Sequence, residues 1–284
     1  MVGTPVLAGS VIEAIETTGV LVAGTSKDAF PFAFQNKKGE LVGYSIDMIK
    51  LIQAELEKEL GRPVRLQLVA LKPEERIPKI EAAEVQLICG ASSFTWKRDQ
   101  SVDFSVSYAI TGTQLLVPAG STLSDPASLR GQRVGALART TNEQAIRSQQ
   151  PEAEIVLLQD RSSGYRALVD GEIDAFADDG MLLYSWLAQN RAPIPLMVAA
   201  DSYSKEGIAC MMPENNSRFQ GIVNKALVRH MQGFLANRSP YIDIFDRWFG
   251  PNSKVPVTQE RLDLYTETMQ LIVDFKEELP NSDL

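Results

Sequence analysis

Apolar and polar positions along this chain switch between two periods, and the switching predicts strands separated by helices. Val20, Leu21, Val22 and Ala23 form a short apolar run, read as a buried strand. Ile49, Ile52, Leu56 and Leu60 then recur at helical spacing. Ser45 is the expected cap of that helix, Asp47 suits its positive first turn, and Gly61 with Pro63 stops it. Val64, Arg65, Gln67 and Val69 fall in an alternating strand. Pro73 opens a short helix through Ile77 and Ile80, and residues 85–88 form another apolar strand. Strands alternating with helices imply right-handed crossovers and a mostly parallel sheet.

The pattern then restarts. Residues 117–120 read as a turn. Strands are expected at 133–136, 155–158, 173–177 and 207–212. Thr140 and Glu143 frame a capping box that starts a helix. Further helices cover 164–169, ended by Gly171, and 182–189. Phe219, Ile222, Val223, Ala226, Leu227, Met231 and Phe234 share one helical face, and a last helix runs from Gln259 to about Glu278. Two α/β units follow, without a short-period repeat.

Composition narrows the function. At 284 residues, 44% apolar and 23% charged, the chain folds as one large domain or two ordinary ones. A net charge of -8, from 28 basic and 36 acidic residues, argues against nucleic acid and anionic membranes. Two cysteines exclude a disulfide scaffold and a Cys-rich metal site; one histidine, His230, argues against His-based zinc and a Ser-His-Asp triad. No metal or cofactor is expected. No run approaches the roughly 18 apolar residues of a membrane span. Met1 to Gly9 lacks the basic and long apolar regions of a signal peptide, which leaves a cytoplasmic protein or one whose leader has been removed.

Candidate chemistry lies where strands end. The segment from Gly90 to Arg98 follows a buried strand, the position where open α/β sheets bind ligands, and Arg98 offers a fork for a carboxylate. Its plainer reading is a polar loop. Thr140 begins a helix whose free N–H groups suit an anion, or is simply a cap. Asp178 and Asp179 can act as acid and base or hold an ammonium, the segment having too few oxygen ligands for a metal, or are exposed loop charges. Arg76 and Arg161 stand out in an acidic chain, although surface arginines are usually solvated. Phe30 and Phe32 wall a site or pack a core, and His230 reads as packing.

Taken in order, these segments resemble a known family. Phe30-Pro31-Phe32, Gly43-Tyr44-Ser45-Ile46-Asp47, Thr95-Trp96-Lys97-Arg98 and Val102-Asp103-Phe104-Ser105 come first. Thr140-Thr141-Asn142-Glu143, Gly171-Glu172-Ile173-Asp174-Ala175-Phe176 and Trp248-Phe249-Gly250 follow. Over roughly residues 19 to 250 the chain resembles the family 3 solute-binding proteins of ABC amino-acid importers. Leu41-Val42-Gly43-Tyr44-Ser45, Arg76-Ile77-Pro78, Cys89-Gly90, Asp178-Asp179 and Gly207-Ile208-Ala209-Cys210 resemble the glutamate/aspartate-binding subtype.

The resemblance implies an α/β, two-lobe periplasmic-binding-protein fold of type II with mostly parallel sheets and two crossover hinge strands. Lobe 1 is expected over 1–111 and 207–284, the latter with a C-terminal helical extension, and lobe 2 over 112–206. It implies that Arg98, Ala91, Ser93 and Thr140 hold a ligand α-carboxylate, Asp179 takes the ammonium, and Phe30 walls the pocket. Arg76 faces the ligand side chain together with Arg161, which replaces a histidine of the subtype. Were the ligand neutral and polar, such as glutamine, Arg161 would swing to solvent or pair with Asp160. Arg139 replaces the small residue expected before Thr140, and an arginine expected near the first strand is absent, with only Lys27 nearby. The resemblance also places Cys89 and Cys210 on neighbouring strands, as a bridge or as two packed thiols. The expected function is a non-enzymatic, monomeric, periplasmic receptor, its signal peptide removed, that closes on glutamate or aspartate and delivers it to an ABC permease. The alternatives are a receptor for a neutral polar amino acid, an enzyme resembling cyclohexadienyl dehydratases with Glu143 as its acid or base, and a sensing domain of a longer receptor.

Overall fold

The computed structural model describes residues 10–276 and 279–280. The leader reading of Met1 to Gly9 and the expected helix end at Glu278 lie outside the described residues.

Two five-stranded sheets carry the architecture. The first has the order Arg65–Ala70, Val20–Thr25, Leu87–Ile88, Met211–Met212, Asp103–Phe104. The second has the order Glu154–Leu158, Arg133–Leu137, Ala175–Asp179, Thr113–Pro118, Leu196–Val198. In each, the first three strands are parallel and the other two pairings antiparallel. The sheets are therefore mixed rather than mostly parallel. Crossover helices lay down the parallel trio. The strand beside it arrives from the other lobe and runs the opposite way. The passage between lobes is a two-stranded antiparallel ladder, Ala109–Thr111 against Glu206–Ile208.

Local departures from the expected pattern have local causes. Residues 117–120 are not wholly a turn: Leu115, Leu116 and Val117 are fully buried in the strand Thr113–Pro118, and the chain turns only after it. The strand expected at 173–177 lies two residues later, at Ala175–Asp179. The strand expected at 207–212 divides between the ladder and the first sheet. Ser45 does not cap its helix. The cap of Tyr44–Leu60 is Gly43, at φ 143°, where an added Cβ would lie 2.2 Å from the Phe32 carbonyl oxygen. Ser45 is buried instead, its hydroxyl 2.8 Å from that of Tyr108. A helix at Val11–Thr18, capped by Ser10 and Glu13, and another at Tyr241–Phe249 were not expected.

The helix Tyr44–Leu60 buries Ile46, Met48, Ile49, Ile52 and Leu56 beside Phe219, Val223, Leu227 and Met231 of the helix Ser217–Leu235. Each such side chain contributes roughly 1.5–3 kcal/mol by leaving water. Arg247 Nη1 and Trp248 Nε1 donate to Asp47 Oδ2 at 2.9 and 2.8 Å, tying the Trp248-Phe249-Gly250 segment to the first turn of that helix. The C-terminal helix Gln259–Lys276 buries Tyr265, Met269 and Val273. Cys89 and Cys210 are joined by a disulfide, with Cα atoms 4.4 Å apart.

Candidate functional site

Both sheets end their parallel strands at one cavity, bordered by residues of each lobe. Its lining includes Arg76, Ala91, Ser93 and Arg98 from the first lobe, and Thr140, Arg161 and Asp179 from the second. About 290 Å³ of space, open solvent at the mouth included, lies between them. Arg76 starts the short helix Arg76–Glu81. Ala91 and Ser93 follow the strand Leu87–Ile88, and Ser93 bridges to Ile208 of the ladder. Thr140 caps the helix Thr141–Gln149, and Asp179 ends the strand Ala175–Asp179.

The three arginines differ in what neutralises them. Arg76 is 6% exposed and donates only to neutral oxygens: Ser26 Oγ at 2.8 Å, Ser92 Oγ at 3.0 Å and the Ala91 carbonyl at 3.1 Å. Its Nε has no hydrogen-bond partner among the described residues. Burial, with Arg161 and Arg98 nearby, pulls its pKa down to about 10. Arg98 donates to the carbonyls of Ser93 at 2.7 Å and Arg139 at 3.3 Å, the second across the cleft. Burial lowers its pKa too. Neither guanidinium forms a salt bridge with a carboxylate among the described residues. Arg161, by contrast, is fully paired: Nε and Nη2 hold Asp178 at 2.6 and 3.3 Å, and Nη1 holds Asp28 at 3.0 Å. Burial disfavours its charge, but Asp178 and Asp28 outweigh that and raise its pKa.

Asp179 is the complementary case. It is 3% exposed, and its Oδ1 has no hydrogen-bond partner among the described residues. Burial, followed by Asp178 and Glu206, pushes its carboxyl well above the ordinary range. The hydroxyl of Thr140 is used locally, donating to Leu137 O at 2.7 Å and accepting from Glu143 N at 3.2 Å. What the helix start offers a ligand is therefore backbone, since the first N–H groups of a helix have no acceptor within it. The capping box is incomplete: Glu143 Oε2 accepts from Arg139 N at 2.7 Å instead of from the cap. Arg139 itself is left-handed, at φ 61°, a conformation that favours a small residue or glycine.

Seven of the eight expected ligand-binding residues thus line one cavity. Phe30 does not; its ring packs edge-on against Phe34, 4.9 Å between centroids, and near Trp248. Asp160 does not pair with Arg161, because its carboxylate caps the helix Arg161–Val169 through Ser163 N at 2.8 Å. Asp178 and Asp179 are buried, not loop charges. His230 is fully buried with Nε2 3.0 Å from the Tyr44 hydroxyl. Sequence reasoning missed Pro73, Thr141 and Asn142 on the lining. Asn142 donates to Asp178 Oδ1 at 3.2 Å and accepts from Thr113 Oγ1 at 2.7 Å. A polar residue two places after a helix cap, facing an Asp pair, was the available signal.

Residues 21–251 match the family described as bacterial extracellular solute-binding proteins, family 3. The chain belongs to that family. This solute-binding protein is 28% identical, over 279 residues, to an L-glutamate/L-aspartate-binding protein of Pseudomonas aeruginosa, covering 92% of this chain and 90% of that one. It is 26% identical, over 265 residues, to a glutamate/aspartate import solute-binding protein of Salmonella typhimurium, covering 92% and 85%. Both relatives are named for binding these amino acids, the second for their import, and neither for an enzymatic activity. Among solved structures, an ancestral arginine-binding protein bound to glutamine superposes with a TM-score of 0.72 at 25% identity, covering 82% of this chain and 98% of that one. The family is extracellular, and among the described residues no helix is long and apolar enough to cross a membrane. No group of three or more His, Cys, Asp or Glu among them is placed to hold a metal ion.

Proposed function

We propose that this protein is the extracytoplasmic receptor of an ABC importer, working as a monomer, that closes on glutamate or aspartate and hands it to the membrane permease. The observation that carries the reading is Arg76, a buried guanidinium with no carboxylate partner among the described residues, facing the same cavity as Arg98 and Asp179. A zwitterion satisfies the last two: its α-carboxylate pairs with Arg98 and the N–H groups of the helix Thr141–Gln149, and its ammonium pairs with Asp179 Oδ1. A second carboxylate then pairs with Arg76. At about 4 Å and an effective dielectric of 20 that pairing is worth roughly 4 kcal/mol before desolvation, and screening over about 8 Å keeps the net negative charge of the protein from cancelling it. The named binding of both glutamate/aspartate relatives agrees with this assignment.

The test is calorimetry with glutamate, aspartate, glutamine and arginine on protein that has been unfolded and refolded to strip carried-over ligand. Wild type should prefer glutamate to glutamine by at least about tenfold, or 1.4 kcal/mol. Arg76→Met should lose most of that preference while glutamine affinity changes little. A wild type that binds glutamine or arginine best, or an Arg76→Met protein that keeps the preference, overturns the acidic specificity.

A further inference from the structure

Arg161 makes a contact that ligand recognition does not explain. It opens the helix Arg161–Val169 of the second lobe, and its side chain is 5% exposed. Two of its nitrogens hold both oxygens of Asp178 on the adjacent strand of the same lobe. Its third nitrogen crosses the cleft to Asp28 Oδ1, 3.0 Å away on the strand Asp28–Ala29 of the first lobe. Among the described residues this is the only side-chain ion pair that joins the lobes. Asp178 is itself held by Asn142, and Asn142 by Thr113 at the start of the strand that leaves the hinge ladder.

We propose that Asp28, Arg161 and Asp178 form a closure latch, which sets the fraction of closed protein and so the affinity for every ligand, without reading the ligand's side chain. The physical argument is linkage. A receptor that binds only when closed has an apparent Kd raised by the reciprocal of its closed fraction. A bond between protein groups that exists only in the closed arrangement shifts that fraction whatever the ligand. Asp178 fixes the plane of the guanidinium, so the remaining nitrogen is already aimed at Asp28 and little side-chain entropy is lost when the lobes meet. Arg161 and Asp28 are positioning residues in this account, and recognition of a second carboxylate falls to Arg76. The affinity side of the inference rests on the protein's being an amino-acid receptor; the conformational side does not.

The variant is Asp28→Asn, which keeps the shape and removes the charge at a site 35% exposed, where the fold has little at stake. Small-angle X-ray scattering of the ligand-free protein reports closure directly. Asp28→Asn should be more extended than wild type, and Asp28→Glu should restore most of the compaction. By calorimetry, the affinity of each amino acid that binds should fall about three- to tenfold, with the glutamate-to-glutamine ratio kept within about twofold. Scattering identical to wild type overturns the latch. So does a changed ligand ratio, since Asp28 would then act on recognition. The scattering arm uses no ligand and stands even if the acidic specificity fails.

Discussion

Asp179 and Arg76 are buried with an oxygen and a nitrogen, respectively, that find no partner among the described residues. Such groups are costly unless something else completes them. For Asp179 the consequence is a proton. Its carboxyl is raised by burial and by Asp178, so in the free protein it holds a proton at pH values above the ordinary 3.8. In the proposed function an arriving ammonium favours the carboxylate and expels that proton. Ligand binding should therefore release protons, and affinity should rise with pH across the interval from 3.8 to the raised value. Calorimetry in phosphate and in Tris at one pH reads the release as a difference in apparent enthalpy; Asp179→Asn should abolish the difference along with most of the affinity. Arg98→Ala should cost about 100-fold or more, because the α-carboxylate would be desolvated without its partner. The types of these residues and their positions beyond strand ends were legible in the sequence. Whether each was buried was not, and burial separates Asp179 from a loop charge and Arg76 from a solvated one. The packing of Phe30 against Phe34 and near Trp248, off the cavity lining, was likewise not legible, because it depends on residues brought together only by the fold.

In the proposed function the helix Thr141–Gln149 joins stability to binding. Thr140 caps it with one hydroxyl that both accepts from Glu143 N and donates to Leu137 O. Thr140→Ala should destabilise the protein by about 1 kcal/mol, read from urea unfolding. It should also weaken ligand binding, since the N–H groups facing the cavity lose their fixed orientation. Thr140→Ser should recover both. The capping pattern of Thr140 and Glu143 made this element readable, and helical periodicity did so for the long helices, whose apolar faces repeat over many residues. The short strands were harder. Leu87–Ile88 and Met211–Met212 have two residues each, too few for any period to register, and they exist because longer neighbours and the Cys89–Cys210 bond hold them in the sheet. Gly43 rather than Ser45 caps its helix, because only glycine fits against the Phe32 carbonyl.

At the scale of the molecule, the interior of the first lobe carries an acid sensitivity. His230 is buried among Tyr44, Tyr241 and the helix that bears Asp47, and burial lowers its pKa from 6.5 to about 4. Between those values the unfolded chain takes up a proton that the folded one refuses, so stability falls as pH drops through the window. The loss from this group is about 3 kcal/mol. Urea unfolding at pH 7 and pH 4.5 should show the decline, and His230→Gln should remove a corresponding part of it. What the sequence determined by itself is the class of the protein: the alternation of strand and helix, the restart of that alternation with the strand at 133–136, and an ordered set of segments resembling family 3 solute-binding proteins. These survive because they depend on local periodicity and on residue types at turns and caps. The tertiary structure alone decided which charges are answered. Arg76, Arg98 and Arg161 are the same residue type in the same cavity. Only the positions of Asp28 and Asp178, 133 and 17 residues from Arg161, pair one of them with carboxylates of both lobes and leave the other two without a carboxylate partner among the described residues. Electrostatic pairing depends on distance in space, and a linear sequence does not contain that distance until the chain has folded.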